Sequence, residues 1–303
     1  MAARVAGILP WATVVAVFLL MAIGNVVSAT GSGLACPDWP LCHGRLIPPL
    51  EPDVLIEYSH RLSAALASAL LVATIAVAIR RSRARSVRRV AILLLVLLAV
   101  QIGLGGVTVL LRLPHLISTA HLVNALLILA GLVIIAATTG RAEPPVAVAR
   151  SARLIRVGLV VLLGQLALGG YVRHAGAGLA CPDFPLCSGS LLPGPGLAAV
   201  HWVHRWLGVL LLGFFAQLAL ASRRTVLARG AGIAAALAAL QVGLGISAVI
   251  FQLPTPVRAL HAAVGYALWG ALVWLGVRAG CWPGAISDAP GRRADAIRIA
   301  HAS

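Results

Sequence analysis

The sequence predicts an all-α integral membrane protein: eight transmembrane helices forming two parallel-repeat four-helix bundles, with N- and C-termini in the cytoplasm. Three observations predict it. The 303 residues are 60% hydrophobic and only 11% charged, with a mean hydropathy of +0.99, too little polar surface to cover a soluble domain. Apolar runs recur about eight times, each near the ~20 residues that cross ~30 Å of hydrocarbon as helix. Charge alternates between connections: all 24 basic residues are arginine, and eighteen gather in every second connection or at the termini. Positive-inside bias puts that side in the cytoplasm.

Taken in order, the runs lie at roughly 9–30, 55–79, 90–111, 117–139, 155–173, 199–221, 231–252 and 258–279. Arg4 precedes the first, which lacks a signal-peptide cleavage pattern and reads as an uncleaved span. The proline-rich loop "GSGLACPDWPLCHGRLIPPL" leads to the second, which carries "EYSHR" and ends in the arginine cluster 80–89. Arg112 separates the third and fourth. A second loop, "GAGLACPDFPLCSGSLLPGP", separates the fifth from the sixth, which opens with "HWVHRWLG". Arg223, Arg224 and Arg229 precede the seventh, and Arg258 opens the eighth. The expected division is an N-terminal half at 1–140, a cytoplasmic linker at 141–154, a C-terminal half at 155–282 and a mobile cytoplasmic tail at 283–303. The net charge of +16 sits in membrane-flanking connections, which points to the lipid bilayer as partner and away from nucleic acid.

The halves repeat. Cys36 and Cys42 recur as Cys181 and Cys187 at an offset of 145, "HRLSAALASALL" as "HRWLGVLLLGFF" at 144, and "QIGLGGVTVLLRLP" as "QVGLGISAVIFQLP" at 140. Four spans per half give both halves the same orientation, a parallel repeat about an axis along the membrane normal.

Both cysteine pairs fall in outward loops, where the surroundings permit disulfides. In "CPDWPLC" the prolines favour a turn that brings the cysteines within bridging distance, so Cys36–Cys42 and Cys181–Cys187 are the expected disulfides. The rival is a zinc site of Cys36, Cys42, His43 and Asp38, but the second loop has Ser188 in place of His43. Cys281 reads as a free thiol at the cytoplasmic end.

Ionisable side chains within spans are costly and mark functional candidates. His60 and His204 sit a few residues into the second helix of each half, His121 and His261 a few residues into the fourth. Those helices run in the same direction, so all four histidines share a depth near the outer surface. A single such histidine is often a packing residue; four at matched depth in a duplication are better explained as two pairs of axial haem ligands. Zinc or copper wants more donors per centre than each half supplies. Arg61, Arg205, Arg112 and Arg258 can meet haem propionates, with interfacial anchoring as the competing role. His43, His115 and His174 read as solvated, and His301 belongs to the tail.

The halves differ at one telling place. "EYSHR" puts Glu57 one turn before His60, where "HWVHR" puts His201 one turn before His204. A carboxylate beside one haem can handle protons or stabilise developing positive charge, so the N-terminal half reads as the reactive site and the C-terminal half as a supporting redox centre. No nucleophilic triad, phosphate loop or dinucleotide fingerprint is present. The glycine-rich stretches at 103–106 and 168–170 lie within spans and read as close helix packing.

As an ordered set, "GLACPDWPLC", "EYSHR", "TAHLVNALL", "HWVHRWLG" and "LHAAVGYALW" resemble the haem A synthase family, CtaA-type in bacteria, over about residues 10–280. The resemblance implies oxidation of the C8 methyl of haem O to a formyl group. Successive hydroxylations would give a geminal diol that loses water. It implies haem b held by His204 and His261, haem O bound at His60 and His121, and a functional glutamate at Glu57. It implies haem O synthase as a partner, a multi-pass cell-membrane location, and cysteine loops on the extracytoplasmic side. The electron donor or acceptor stays unidentified, and a homo-oligomer is allowed. A dihaem b-type electron carrier is the alternative from the histidines alone, but such a carrier has no need of an asymmetric Glu57.

Overall fold

Each helix forms because a peptide group facing hydrocarbon must find its hydrogen-bond partner within its own segment. A computed structural model describes residues 2–82, 84–139 and 148–282. It contains α1 (Ala2–Thr30), α2 (Pro52–Arg81), α3 (Arg85–Leu110), α4 (His115–Thr139), α5 (Ala149–His174), α6 (Leu197–Ser222), α7 (Ala228–Ile250) and α8 (Thr255–Arg278). All eight have a stretch long and apolar enough to span a membrane, and no strand occurs among the described residues. The predicted all-helical, eight-span class is the observed one. The linker residues 141–147, the tail 283–303 and Arg83 lie outside the described residues.

Several helices outrun their apolar cores. α2 begins at Pro52, after the extended Glu51, with Asp53 in its first turn and Arg80 and Arg81 in its last. Proline is preorganised for a first turn, and these charges complement the helix dipole. α5 begins at Ala149, inside the segment expected as linker, because Arg150, Arg153 and Arg156 are good helix formers. The α3–α4 and α7–α8 corners share one device. Arg112 and Leu113, and likewise Gln252 and Leu253, adopt left-handed backbone conformations. Leu113 N–H then donates to Thr108 O, and Leu253 N–H to Ala248 O, each at 2.7 Å. Pro114 and Pro254 follow and stop the preceding helix.

Helices α1–α4 pack as a ring in which α1 meets α2 and α4 while α3 meets the same two; α5–α8 repeat that pattern. The rings join through α4 on α5, α1 on α8 and α4 on α8. Exchanging α1–α4 for α5–α8 leaves this set of contacts unchanged. The core therefore lies around α4 and α8, the most enclosed helices, with Leu126, Leu129, Leu132, Leu272 and Leu275 fully buried. Leucines such as Leu62, Leu66, Leu210 and Leu220 point outward, as a lipid-facing surface requires. Polar ties cross the ring-to-ring joint: Trp269 Nε1 donates to Leu126 O at 2.8 Å, and Arg258 Nη2 to Ala29 O at 2.5 Å. Arg173 donates to both the side-chain and backbone oxygens of Asn25.

Candidate functional site

Each of the four span histidines lies against a glycine of the neighbouring helix. A Cβ built at Gly24 of α1 would stand 2.7 Å from Cε1 of His60, and one at Gly169 of α5 would stand 2.7 Å from Cε1 of His204. A Cβ at Gly105 of α3 would be 3.4 Å from Cε1 of His121, and one at Gly245 of α7 would be 3.2 Å from Cε1 of His261. At Gly24 and Gly169 only glycine leaves room for the imidazole, at Gly245 the fit is tight, and at Gly105 the contact is an ordinary one; Gly170 meets Leu122 of α4 instead, the close helix packing expected for its stretch. In the second half the ring centres of His204 and His261 are 6.5 Å apart, with their planes at 78°.

Glutamines set the tautomers. Nδ1 of His261 lies 3.1 Å from the backbone oxygen of Gln241, which can only accept, so Nδ1 carries the proton and Nε2 a lone pair. Gln241 Nε2 stands 3.2 Å from that Nε2. In the first half, Asn124 Nδ2 donates to Leu97 O at 2.9 Å and to Gln101 Oε1 at 2.7 Å, which turns the Gln101 amino group toward Nε2 of His121 at 3.1 Å. Nε2 of His121 is therefore the acceptor as well.

Over the mouth of each half lies a stapled loop. Cys36–Cys42 and Cys181–Cys187 are disulfides, as expected. The zinc reading fails on geometry. Asp38 accepts His43 N–H at 2.6 Å and Gly44 N–H at 2.7 Å, and no group of three or more His, Cys, Asp or Glu is placed for a metal ion among the described residues. The Gly44 and His43 amides hold the Asp38 carboxyl below the usual carboxylate range, and Gly189 and Ser188 do the same to Asp183. Trp39 reaches from the first loop onto α3, where a Cβ at Gly106 would meet its indole at 3.1 Å. At an offset of 140 the corresponding residue is Ile246, and Phe184 takes the place of Trp39.

Glu57 fastens loop to helix. It is 3% exposed, its Oε1 accepts from Arg61 Nη2 at 2.5 Å, and its Oε2 accepts from Cys36 N–H at 2.7 Å. His201 occupies the equivalent place, with longer contacts of 3.3 Å to Cys181 N–H and to Arg205 Nε. A neutral imidazole has one acceptor nitrogen, so it can satisfy only one of those donors, whereas a carboxylate satisfies both.

Of the four arginines offered as possible propionate contacts, Arg61 and Arg205 hold the loops. Arg61 donates through Nη1 to Asp38 O at 2.7 Å and Leu41 O at 2.5 Å, and through Nη2 to Cys36 O at 2.8 Å. Arg205 binds Asp183 O at 2.7 Å, Leu186 O at 3.1 Å and the carbonyl of Cys181. Arg258 ties α8 to α1, and Arg112 is exposed at its corner. Of the histidines expected to be solvated, His43 and His115 are exposed and His174 is partly buried. Cys281 is free.

Comparison with known proteins gives this geometry a context. The family model described as cytochrome oxidase assembly protein, of the COX15-CtaA type, matches residues 7–273. The chain belongs to this family. It is 33% identical over 284 residues to the Heme A synthase of Symbiobacterium thermophilum, covering 86% of this chain and 91% of that one. It is 30% identical to the Heme A synthase of Alkalihalophilus pseudofirmus, with 87% and 93% covered, and 27% identical to that of Bacillus licheniformis, with 86% and 92% covered.

Family membership raises haem as the group to test, and the residues fit it. An iron between two imidazole nitrogens at about 2 Å each, with each ring centre about 1.1 Å further back, separates the centres by roughly 6.2 Å, close to the 6.5 Å between His204 and His261. Nε2 of His121 and of His261 presents the lone pair a metal needs. Nδ1 of His60, His121 and His204 are buried without a hydrogen-bond partner. The sequence pattern had singled out the histidines but not the glycines that seat them or the glutamines that orient two of them. The available signal was conservation of register: Gly24 and Gly169 are 145 apart, and the pairs Gly105–Gly245 and Gln101–Gln241 are each 140 apart.

Proposed function

We propose that this chain is a haem A synthase, oxidising the C8 methyl of haem O to a formyl group in its N-terminal half, residues 1–140. A haem b held in the C-terminal half, residues 155–282, serves as redox partner. His60 and His121 bind the substrate haem; His204 and His261 are the ligands of haem b. When bound, haem iron supplies the electron-transfer and oxidising chemistry that an unactivated methyl C–H demands. The protein supplies orientation and exclusion of water. His60 and His121 present nitrogens from two helices, and the first loop, pinned by Glu57 and Arg61 and carrying Trp39, covers the mouth.

One observation carries the reading. The two halves share ligands, glycine seats and stapled loops, yet only the first has a buried carboxylate one turn from its ligand, fully hydrogen-bonded. Two electron-relay haems would be served equally by either arrangement; a reacting substrate gains from an ion pair and loop fixed beside it, with dipoles already in place where charge develops. The arginine distribution supports placing both termini in the cytoplasm of a cell-membrane protein and the disulfide loops outside. Haem O synthase is the natural source of substrate.

The test is Glu57→Ala, co-expressed with haem O synthase and followed by pigment extraction. Haem b stays bound with a normal reduced-minus-oxidised spectrum, while formyl-haem disappears. Formyl-haem accumulating at the normal rate would refute the role of Glu57, and a wild-type chain yielding no formyl-haem would refute the enzyme.

A further inference from the structure

The two halves hold their α4 and α8 histidines differently. His261 is anchored at both nitrogens: its Nδ1–H donates to Gln241 O at 3.1 Å, and its Nε2 faces the Gln241 amide at 3.2 Å. His121 has no partner at Nδ1, and its one hydrogen bond is at Nε2, from Gln101 at 3.1 Å. Both amides present their amino group to Nε2, but only in the first half is that orientation held by a third residue. Leu97 O can only accept, so Asn124 must present its amino group. That group also donates to Gln101 Oε1, leaving Gln101 to donate to His121. At an offset of 140 the residue matching Asn124 is Val264, and Gln241 Oε1 is buried with no partner.

We propose that Gln101, fixed by Asn124, is a positioning residue that makes His121 the exchangeable ligand of the substrate haem. The inference rests on the reading of His60 and His121 as that haem's ligands. A proton held on Nδ1 by a carbonyl orients an imidazole and strengthens it as a ligand; His261 has this support and His121 lacks it. When Nε2 of His121 is off the metal, it would be a buried acceptor with nothing to bind, which is costly. The Gln101 amino group already stands where it captures that nitrogen. The amide would therefore stabilise the detached ring and favour the form with one coordination position open, while the C-terminal pair, with its Nδ1 support, would stay closed. No proton or electron moves in this exchange; one nitrogen lone pair changes partner from metal to N–H.

The experiment uses the full-length purified protein, reduced with dithionite and titrated with carbon monoxide before and after loading with haem O. Haem O adds a carbon-monoxide-binding component to the wild type, while the resident haem b stays unreactive. Gln101→Met weakens carbon monoxide binding to the added component about five-fold, the worth of one hydrogen bond, and Asn124→Val weakens it by roughly half as much on a logarithmic scale. Gln241→Met leaves haem b closed. The haem b spectrum reports folding in every variant, and Asn124→Val carries the test if Gln101→Met loses it. Unchanged or tighter carbon monoxide binding in a folded Gln101 or Asn124 variant that still takes up haem O overturns the proposal. A wild-type chain that takes up no haem O, or takes it up equally well as His60→Ala, overturns the haem assignment itself.

Discussion

Replacing Gly169 with alanine puts a methyl group 2.7 Å from Cε1 and 3.4 Å from Nδ1 of His204. Carbon atoms pack best near 3.5–4.0 Å, so the ring must retreat by about 0.8 Å or α5 must move away from α6. Overpacking of this kind costs about 1–3 kcal/mol, equivalent to a five- to hundred-fold loss of haem affinity if the strain falls on the ligand. At Gly245 the same methyl would stand 3.2 Å from His261, a squeeze of a few tenths of an ångström, and the loss should be only a few-fold. At Gly243, two residues earlier and on nearly the opposite face of the same helix, a Cβ meets nothing within 4 Å. There, alanine should retain all haem and gain about 1 kcal/mol of helix propensity. The assay is haem b content per protein after purification, from reduced-minus-oxidised spectra, alongside thermal unfolding. The expected order is Gly243→Ala, then Gly245→Ala, then Gly169→Ala. If Gly169→Ala keeps as much low-spin haem as Gly243→Ala, the glycine is not seating a ligand.

Other outcomes follow from the same contacts. If His204 and His261 hold haem b as proposed, His204→Ala or His261→Ala abolishes the low-spin haem signal, read in the same spectra. Arg61→Met removes three hydrogen bonds that hold the first loop and leaves Glu57 buried without its cation; limited proteolysis between residues 38 and 50 should become faster than in the wild type. Both disulfides predict four cysteines protected from alkylation until reductant is added, with Cys281 as the sole free thiol. The Asp38 carboxyl has its pKa depressed by the Gly44 and His43 amides. Its contribution to loop order is thus present above about pH 4 and lost as the pH falls through the folded value. Hydrogen exchange at Gly44 and His43, corrected for intrinsic rate, should speed up only at the acid end. Asp38→Asn removes that pH dependence.

Much of the fold was legible before any coordinates. Span length and charge side are properties of short windows, and the eight helices fall where hydropathy put them. The main departures are at polar ends such as Ala149, where arginine extends a helix beyond its apolar core. The histidines were legible because an ionisable group at membrane depth stands out against its neighbours. The loop arginines were harder. Arg61 and Arg205 follow His60 and His204 directly in sequence, which suggested propionates; in space they reach back over twenty residues to carbonyls of the stapled loops. Glu57 was recognised as exceptional, but its bond to Cys36 N–H depends on how the loop folds over the helix.

The sequence by itself determined how many times the chain crosses, which side its arginines favour, which residues recur in the two halves and where the duplication is broken. All of these are relations between positions along one dimension. Only the tertiary structure decided that each imidazole rests on a glycine of the adjacent helix, that Gln101 is held by Asn124 while Gln241 Oε1 has no such partner, and that His261 has a carbonyl partner which His121 lacks. Those differences are distances of about 3 Å between separate helices. Burial makes such contacts matter, because inside the bundle no water replaces a missing partner.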